Sequence, residues 1–263
     1  VSIALFLGLV VGLILALTGA GGGILAVPLL VFGAGIGVAQ AGPIGLLAVG
    51  MAAALGAALG LRQGIVRYRA AMLIAGVGML LSPAGLWLAH RVDNHVLSAL
   101  FGMLMLYVAL RTARQALGRA PDIATGARPC IRDGATGRFI WTSACARSLA
   151  LSGSVAGFLS GLLGVGGGFV MVPALQRCTD LAMQSIVATS LAVIALVSAS
   201  GVLASAAAGS LNWAIAAPFA GGALAGMLGG RLVSARLAGP QLQLGFAGVS
   251  ALVAAGMIAR ALQ

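Results

Sequence analysis

The chain has 263 residues, of which 61% are hydrophobic and 7% charged, and its formal net charge is +11. Mean hydropathy is +1.13. A water-soluble domain is nearer half apolar, with about a quarter of its residues charged, so this composition cannot cover a particle of this size in water. All fifteen basic residues are Arg and all four acids are Asp. The pI of 11.7 would suit a nucleic-acid binder, but the basic stripe and interleaved aromatics that such binding needs are missing; no nucleic-acid partner is expected.

In chain order, the first element is an uncharged stretch from Ser2 to Gly35. The next charge-free runs confirm the pattern: nothing is charged before Arg62, or between Asp180 and Arg231. These runs exceed the ~20 apolar residues of one bilayer crossing. The opening, Ser2 to Leu17, has the look of a signal peptide, yet its continuation recurs in the second half, so it reads as a retained structural unit. Spans follow near 40–61, 70–90 and 95–110. Residues 111–147 are the one substantial polar segment, with Pro129–Thr142 open to either a hairpin around Asp133-Gly134 or a disordered linker. The second half repeats the first: a long stretch over 148–176, then spans near 185–208, 213–233 and 241–259.

The repeat is explicit. Gly19-Ala20-Gly21-Gly22-Gly23-Ile24-Leu25-Ala26-Val27-Pro28 returns 145 residues later as Gly164-Val165-Gly166-Gly167-Gly168-Phe169-Val170-Met171-Val172-Pro173. Both copies read G-x-G-G-G-x-x-x-V-P. The same offset pairs Gly64 with Gly209, Gly85 with Gly230 and Phe101 with Phe246, while an offset of 144 pairs Gln40 with Gln184. The domain expectation is a first membrane repeat over 1–118, a cytoplasmic connecting loop over 119–146 and a second membrane repeat over 147–263.

A straight helix from Ser2 to Gly35 would run about 50 Å, too long for a hydrocarbon core of about 30 Å and too short for two full crossings. Three consecutive glycines in its middle disfavour a continuous helix. Each stretch is therefore a single broken span or a re-entrant pair of half-helices. Arginine placement separates the two. Single crossings leave 11 Arg inside and 4 outside; re-entrant hairpins leave 13 inside and only Arg91 and Arg260 outside. The positive-inside rule favours the second, which makes the halves inverted repeats with both termini outside. The fold class expected is an all-α integral membrane protein of two homologous halves, each a broken or re-entrant helix pair plus three transmembrane helices.

Inverted repeats with broken helices place a substrate site near the midplane, where half-helix ends face the cargo. Glycine lets backbone approach a ligand, and free N–H groups at a helix start attract an anion. The expected substrate-binding set is Gly21, Gly22, Gly23, Gly166, Gly167 and Gly168 with the neutral donors Gln40, Gln184, Thr189 and Ser190. For scattered glycines such as Gly222 and Gly226, close helix packing is the simpler reading. Asp93, Asp122, Asp133 and Asp180 all fall in expected loops, so the spans offer no carboxylate for a cation; the cargo should be anionic. The glycine run lacks the Lys and the spacing of a nucleotide loop. His90 and His95 lack a nucleophile and carboxylate partner, so no enzyme and no cofactor or metal is implied. The cysteines Cys130, Cys145 and Cys178 show no metal spacing and read as reduced thiols.

With Gln184-Ser185-Ile186-Val187-Ala188-Thr189-Ser190-Leu191 after its second copy, the duplicated motif resembles the TauE/SafE sulfite exporter family over essentially the whole chain. Gly45-Leu46 stand in the first half where Thr189-Ser190 stand in the second. The resemblance implies a secondary transporter exporting sulfite or small organosulfonates across the cell inner membrane. The other readings are an anion channel or a membrane accessory protein without transport of its own. The partners expected are the small anion, the lipid bilayer and, as a possible assembly, a homodimer.

Overall fold

Helices fill the chain wherever the sequence is uninterrupted by glycine or polar punctuation. The computed structural model describes residues 2–18, 23–117, 129–130, 141–237 and 240–261. Its helices are α1 (Ser2–Thr18), α2 (Ala26–Gly33), α3 (Val38–Arg62), α4 (Tyr68–Ala89), α5 (Asn94–Ala116), α6 (Ser143–Leu163), α7 (Gly168–Cys178), α8 (Met183–Ala207), α9 (Trp213–Leu237) and α10 (Pro240–Ala261). All but α1, α2 and α7 are long and apolar enough to cross a membrane. Large apolar side chains in mid-helix face outward, with Leu80 81% and Leu252 76% exposed, which is stable against lipid and not against water. Trp87, Tyr68 and Trp213 stand exposed near helix ends, where amphipathic rings meet the headgroups. The chain is an all-α, multi-pass integral membrane protein.

Helix ends follow the repeat. Gly64 and Gly209, paired by the 145-residue offset, end α3 and α8 with φ of +69° and +66°. That left-handed conformation, which only glycine adopts cheaply, closes a helix at its C′ position. Thr142 caps α6 by accepting the Cys145 N–H at 3.1 Å, as a hydroxyl at an N-cap should.

Contacts between glycines and their neighbours give the helix directions. Along α3, Gly50 faces Ser198, Gly56 faces Leu191 and Gly60 faces Ala188 of α8. Numbers rise on one helix as they fall on the other, so these equivalent helices run antiparallel. On α6, Gly153, Gly157 and Gly161 sit against Ile74, Gly78 and Ser82 of α4, so that pair is parallel. Its counterpart is the parallel pair of α1 and α9, where Gly8 meets Phe219 and Gly12 meets Ala223. Gly222 and Gly226 answer from α9, against the Leu5 and Leu9 carbonyls. Any Cβ at these positions would overlap backbone, the close approach that small-residue interfaces permit in membranes. The scattered glycines are packing residues, as the sequence suggests. α5 and α10 form the remaining pair, with Gly102 against Ala254 and Ile258.

Both long stretches fold back on themselves. Gly167 lies beside Ala156, seven residues back from the end of α6, where a chain continuing straight would have moved away. The far end of α7 reaches the start of α6: Cys130 N–H donates to the Cys178 carbonyl at 3.0 Å, and Cys130 is disulfide-bonded to Cys145. In the first half, Gly33 at the end of α2 packs on Leu7 of α1.

The disulfide corrects the expectation of reduced thiols. Cys130 and Cys145 are fully buried with Cα atoms 4.8 Å apart, and Cys178 is the free cysteine. Spacing rules look for neighbours in sequence, whereas here the base of the α6–α7 hairpin gathers three cysteines from distant positions. Cys130 also forms an isolated parallel bridge with Thr179. The hairpin considered around Asp133-Gly134, and Asp122, lie outside the described residues.

Candidate functional site

Gly23, the one described glycine of the first triplet, packs beside the second break. A Cβ placed on Gly23 would sit 3.2 Å from the Val165 carbonyl oxygen and 3.0 Å from Val49 Cγ1. A Cβ on Gly166 would lie 3.3 Å from the same Val49 methyl, 2.9 Å from Ile194 Cγ2 and 3.2 Å from Ser198 Oγ. Val49, midway along α3, therefore touches both Gly23 and Gly166, while Gly23 also meets the Val165 carbonyl directly. Gly21 and Gly22 lie outside the described residues.

The second break is an unwound turn whose shape demands glycine. Gly164, Gly166 and Gly167 have φ of +71°, +74° and +70°. Gly164 ends α6, donating its N–H to the Ser160 carbonyl at 2.8 Å, and presses on Gly42 of α3. Gly167 is the N-cap of α7, and its carbonyl accepts from Val170 and Met171 at 3.1 and 3.2 Å. Among the described residues the N–H groups of Gly166 and Gly167 have no hydrogen-bond acceptor, and Gly168 opens α7, where the first N–H groups lack intrahelical partners. Residues 161 to 169 are all buried. The result is a buried turn with unbonded N–H groups at the positive end of a half-helix.

The four polar residues expected to complete the site do not share that place. Gln184 is exposed in the first turn of α8; fourteen residues separate it from Ser198, about 21 Å of helix. Gln40 is exposed in the first turn of α3 and lines a shallow cavity of about 120 Å3 with Ile36, Ile44, Ser210, Asn212 and Ile215. Thr189 is fully buried and accepts the Arg67 backbone N–H at 3.1 Å, tying α8 to the start of α4. Ser190, also fully buried, donates to the Val187 carbonyl at 2.9 Å within its own helix.

Three hydroxyls that the sequence reading passed over are instead buried near the second break. Ser82 on α4, Ser160 on α6 and Ser198 on α8 are each 0% exposed, and none of their Oγ atoms has a hydrogen-bond partner. A buried hydroxyl left unsatisfied costs about 1–3 kcal/mol. Other helical serines here bond back to a carbonyl, as Ser152, Ser154, Ser200 and Ser205 do. A signal was present in the repeat: the counterparts of Ser82, Ser160 and Ser198 are Met227, Leu15 and the Ala53-Ala54 pair, all apolar.

Asp93 is exposed at the N-cap of α5, and Asp180 sits between α7 and α8. Both described acids are thus at helix ends, outside the spans. His90 is exposed at the end of α4, its Nδ1 2.8 Å from the Leu86 carbonyl oxygen.

Seven described helices long and apolar enough to cross a membrane, with the buried unwound turn at residues 164–167 packed near Gly23 of the other half, fit a membrane transporter. The match to known sequences names the group: the chain belongs to the sulfite exporter TauE/SafE family, whose model matches residues 4–257. A probable membrane transporter protein of Xylella fastidiosa strain Temecula1 is 33% identical over 234 residues, covering 88% of this chain and 83% of that protein. The probable membrane transporter protein YunE of Bacillus subtilis is 28% identical over 241 residues, 89% of this chain and 87% of that one. A probable membrane transporter protein of Methanocaldococcus jannaschii is 27% identical over 206 residues, 76% and 70% of the two chains. No solved structure matches the chain.

Proposed function

We propose that this protein is a secondary transporter that exports small sulfur oxyanions, sulfite or organosulfonates, across the cytoplasmic membrane by alternating access. One observation carries the reading: Gly23 of the first half packs beside the second-half turn, where the N–H groups of Gly166 and Gly167 are unbonded among the described residues and buried. Free backbone donors at a half-helix start suit an anion, and the described acids lie outside the spans. The binding site comprises Gly21–Gly23 and Gly166–Gly168. Thr189 and Ser190 are held in protein hydrogen bonds and Gln40 and Gln184 stand at helix starts, so the backbone supplies the first contacts in this conformation.

Inverted topology underlies the mechanism. The antiparallel run of α3 against α8, and the return of α7 along α6, support an odd number of crossings per half and opposite orientation of the repeats. The buried state of residues 161 to 169 favours a carrier that occludes its cargo over a channel with a continuous water path. The test is flux in proteoliposomes with sulfite, methanesulfonate, sulfate and phosphate. A carrier gives saturable uptake of sulfite or sulfonate with counterflow; unsaturable, ohmic anion currents would favour a channel, and no flux of any anion would defeat the reading.

A further inference from the structure

We propose that Ser198 is an oxyanion-binding residue of this transporter, its hydroxyl donating to cargo held against the Gly166 backbone, with Ser82 beside it. The inference rests on the transport reading above and deepens it by naming side chains and by making the site one-sided. Ser198 is fully buried, its Oγ has no partner, and it lies 3.2 Å from where a Gly166 Cβ would be. Ser198 packs between two glycines, since a Cβ on Gly50 would lie 2.8 Å from its Cβ and 3.5 Å from its Oγ. Ser82 Oγ lies 3.2 Å from the corresponding position on Gly201, one helical turn from Ser198 along α8, so two unpaired hydroxyls flank the same turn. Ser160 belongs to α6, which packs on Ser82 through Gly161.

A hydroxyl in a helix ordinarily satisfies itself on the carbonyl three or four residues back. Three that decline this option, on three helices packed around one break, are poised for an acceptor from outside the protein. A neutral hydroxyl and a backbone N–H together suit a desolvated oxyanion, which offers several acceptor oxygens and needs no fixed countercharge. The first half cannot match this, because its counterpart positions Leu15, Ala53 and Met227 are buried apolar core. The two halves share the glycine motif but not these hydroxyls, and one anion binds beside Gly166.

Ser250 supplies the control, being fully buried and unpaired but placed on α10, which packs mainly on α5. Sulfite binding is measured by calorimetry on Ser198→Ala and Ser250→Ala, with melting temperature recorded for each. Ser198→Ala should weaken binding about tenfold to a hundredfold, as loss of one hydrogen bond to a charged group does, while Ser250→Ala binds as wild type. A second measurement does not depend on sulfite. In a Cys178→Ser background, Ser198→Cys in liposomes should react with the small anionic reagent methanethiosulfonate ethylsulfonate and be slowed by methanesulfonate; Ser250→Cys should not react. Normal sulfite affinity in Ser198→Ala, or an unreactive Ser198→Cys, overturns the placement. Wild-type protein that binds and transports none of the anions defeats the transport reading instead, and is distinguished by the wild-type measurement itself.

Discussion

Gly64 and Gly166 share a left-handed backbone, with φ of +69° and +74°, but differ in surroundings. Nothing lies within 4 Å of a Cβ at Gly64, whereas one at Gly166 would meet Ile194 and Ser198. Alanine at Gly64 should therefore cost only the left-handed strain, about 1–2 kcal/mol, and leave flux intact. Gly166→Ala should lower the melting temperature further and abolish flux, since it fills the space beside the free N–H groups. Thermal unfolding paired with sulfite flux checks both. Thr189→Val should behave differently again: it leaves the Arg67 N–H without its acceptor and should cost about 1–3 kcal/mol with sulfite affinity in the folded fraction unchanged. Affinity lost at constant stability would return Thr189 to the binding set. Neutralising Asp93 or Asp180 as Asn should leave sulfite affinity within about twofold, since neither lies in a span; a tenfold loss measured by calorimetry would show a carboxylate acting on the cargo.

At the scale of elements, the parallel pairs α1–α9 and α4–α6 carry very close glycine-lined approaches among the described residues. Gly157 of α6 packs on Gly78 of α4 with no room for a side chain. Gly157→Leu should push the helices apart and prevent stable folding, read as loss of a monodisperse peak in detergent. Gly76→Leu, on α4 with nothing within 4 Å of its Cβ position, should be tolerated. The arrangement explains why the hairpins need a lining of glycine: α6 must lie on α4 while α7 returns against it. Arg260 closes the first hairpin at its base, its guanidinium donating to the Val31 carbonyl at 3.2 Å, where a cation also complements the negative end of α2.

For the whole molecule, the proposed topology and the disulfide make opposite demands. The seven arginines of residues 111–147 call for the cytoplasm, while a disulfide persists in oxidising compartments. On the proposed topology, orientation is set during insertion, before a disulfide can close, and the arginines set the side. A thiol trap decides between them: if the arginines set the side, Cys130 and Cys145 are alkylated as free thiols when cells are lysed into it; if the disulfide stands in cells, they resist alkylation and the segment lies outside. With the arginines inside, a C-terminal reporter should read outside. A C-terminus in the cytoplasm would restore the parallel arrangement of the halves.

The sequence by itself determined the membrane class, the described helix spans to within a few residues and the glycine break at residues 164–168. These follow from hydropathy, repeat offset and the conformational permissiveness of glycine, all local in the chain. Gln40 and Gln184 also satisfied the repeat, but an offset records common ancestry and not distance from a site; both stand at helix starts. Only the tertiary structure decided that Gly23 packs beside the second break, that Thr189 holds the start of α4, that Cys130 finds Cys145, and that Ser82, Ser160 and Ser198 are left without partners. Each depends on which faces of distant helices come together, and in a chain so rich in Gly and Ala the faces carry too little pattern to specify their neighbours in advance.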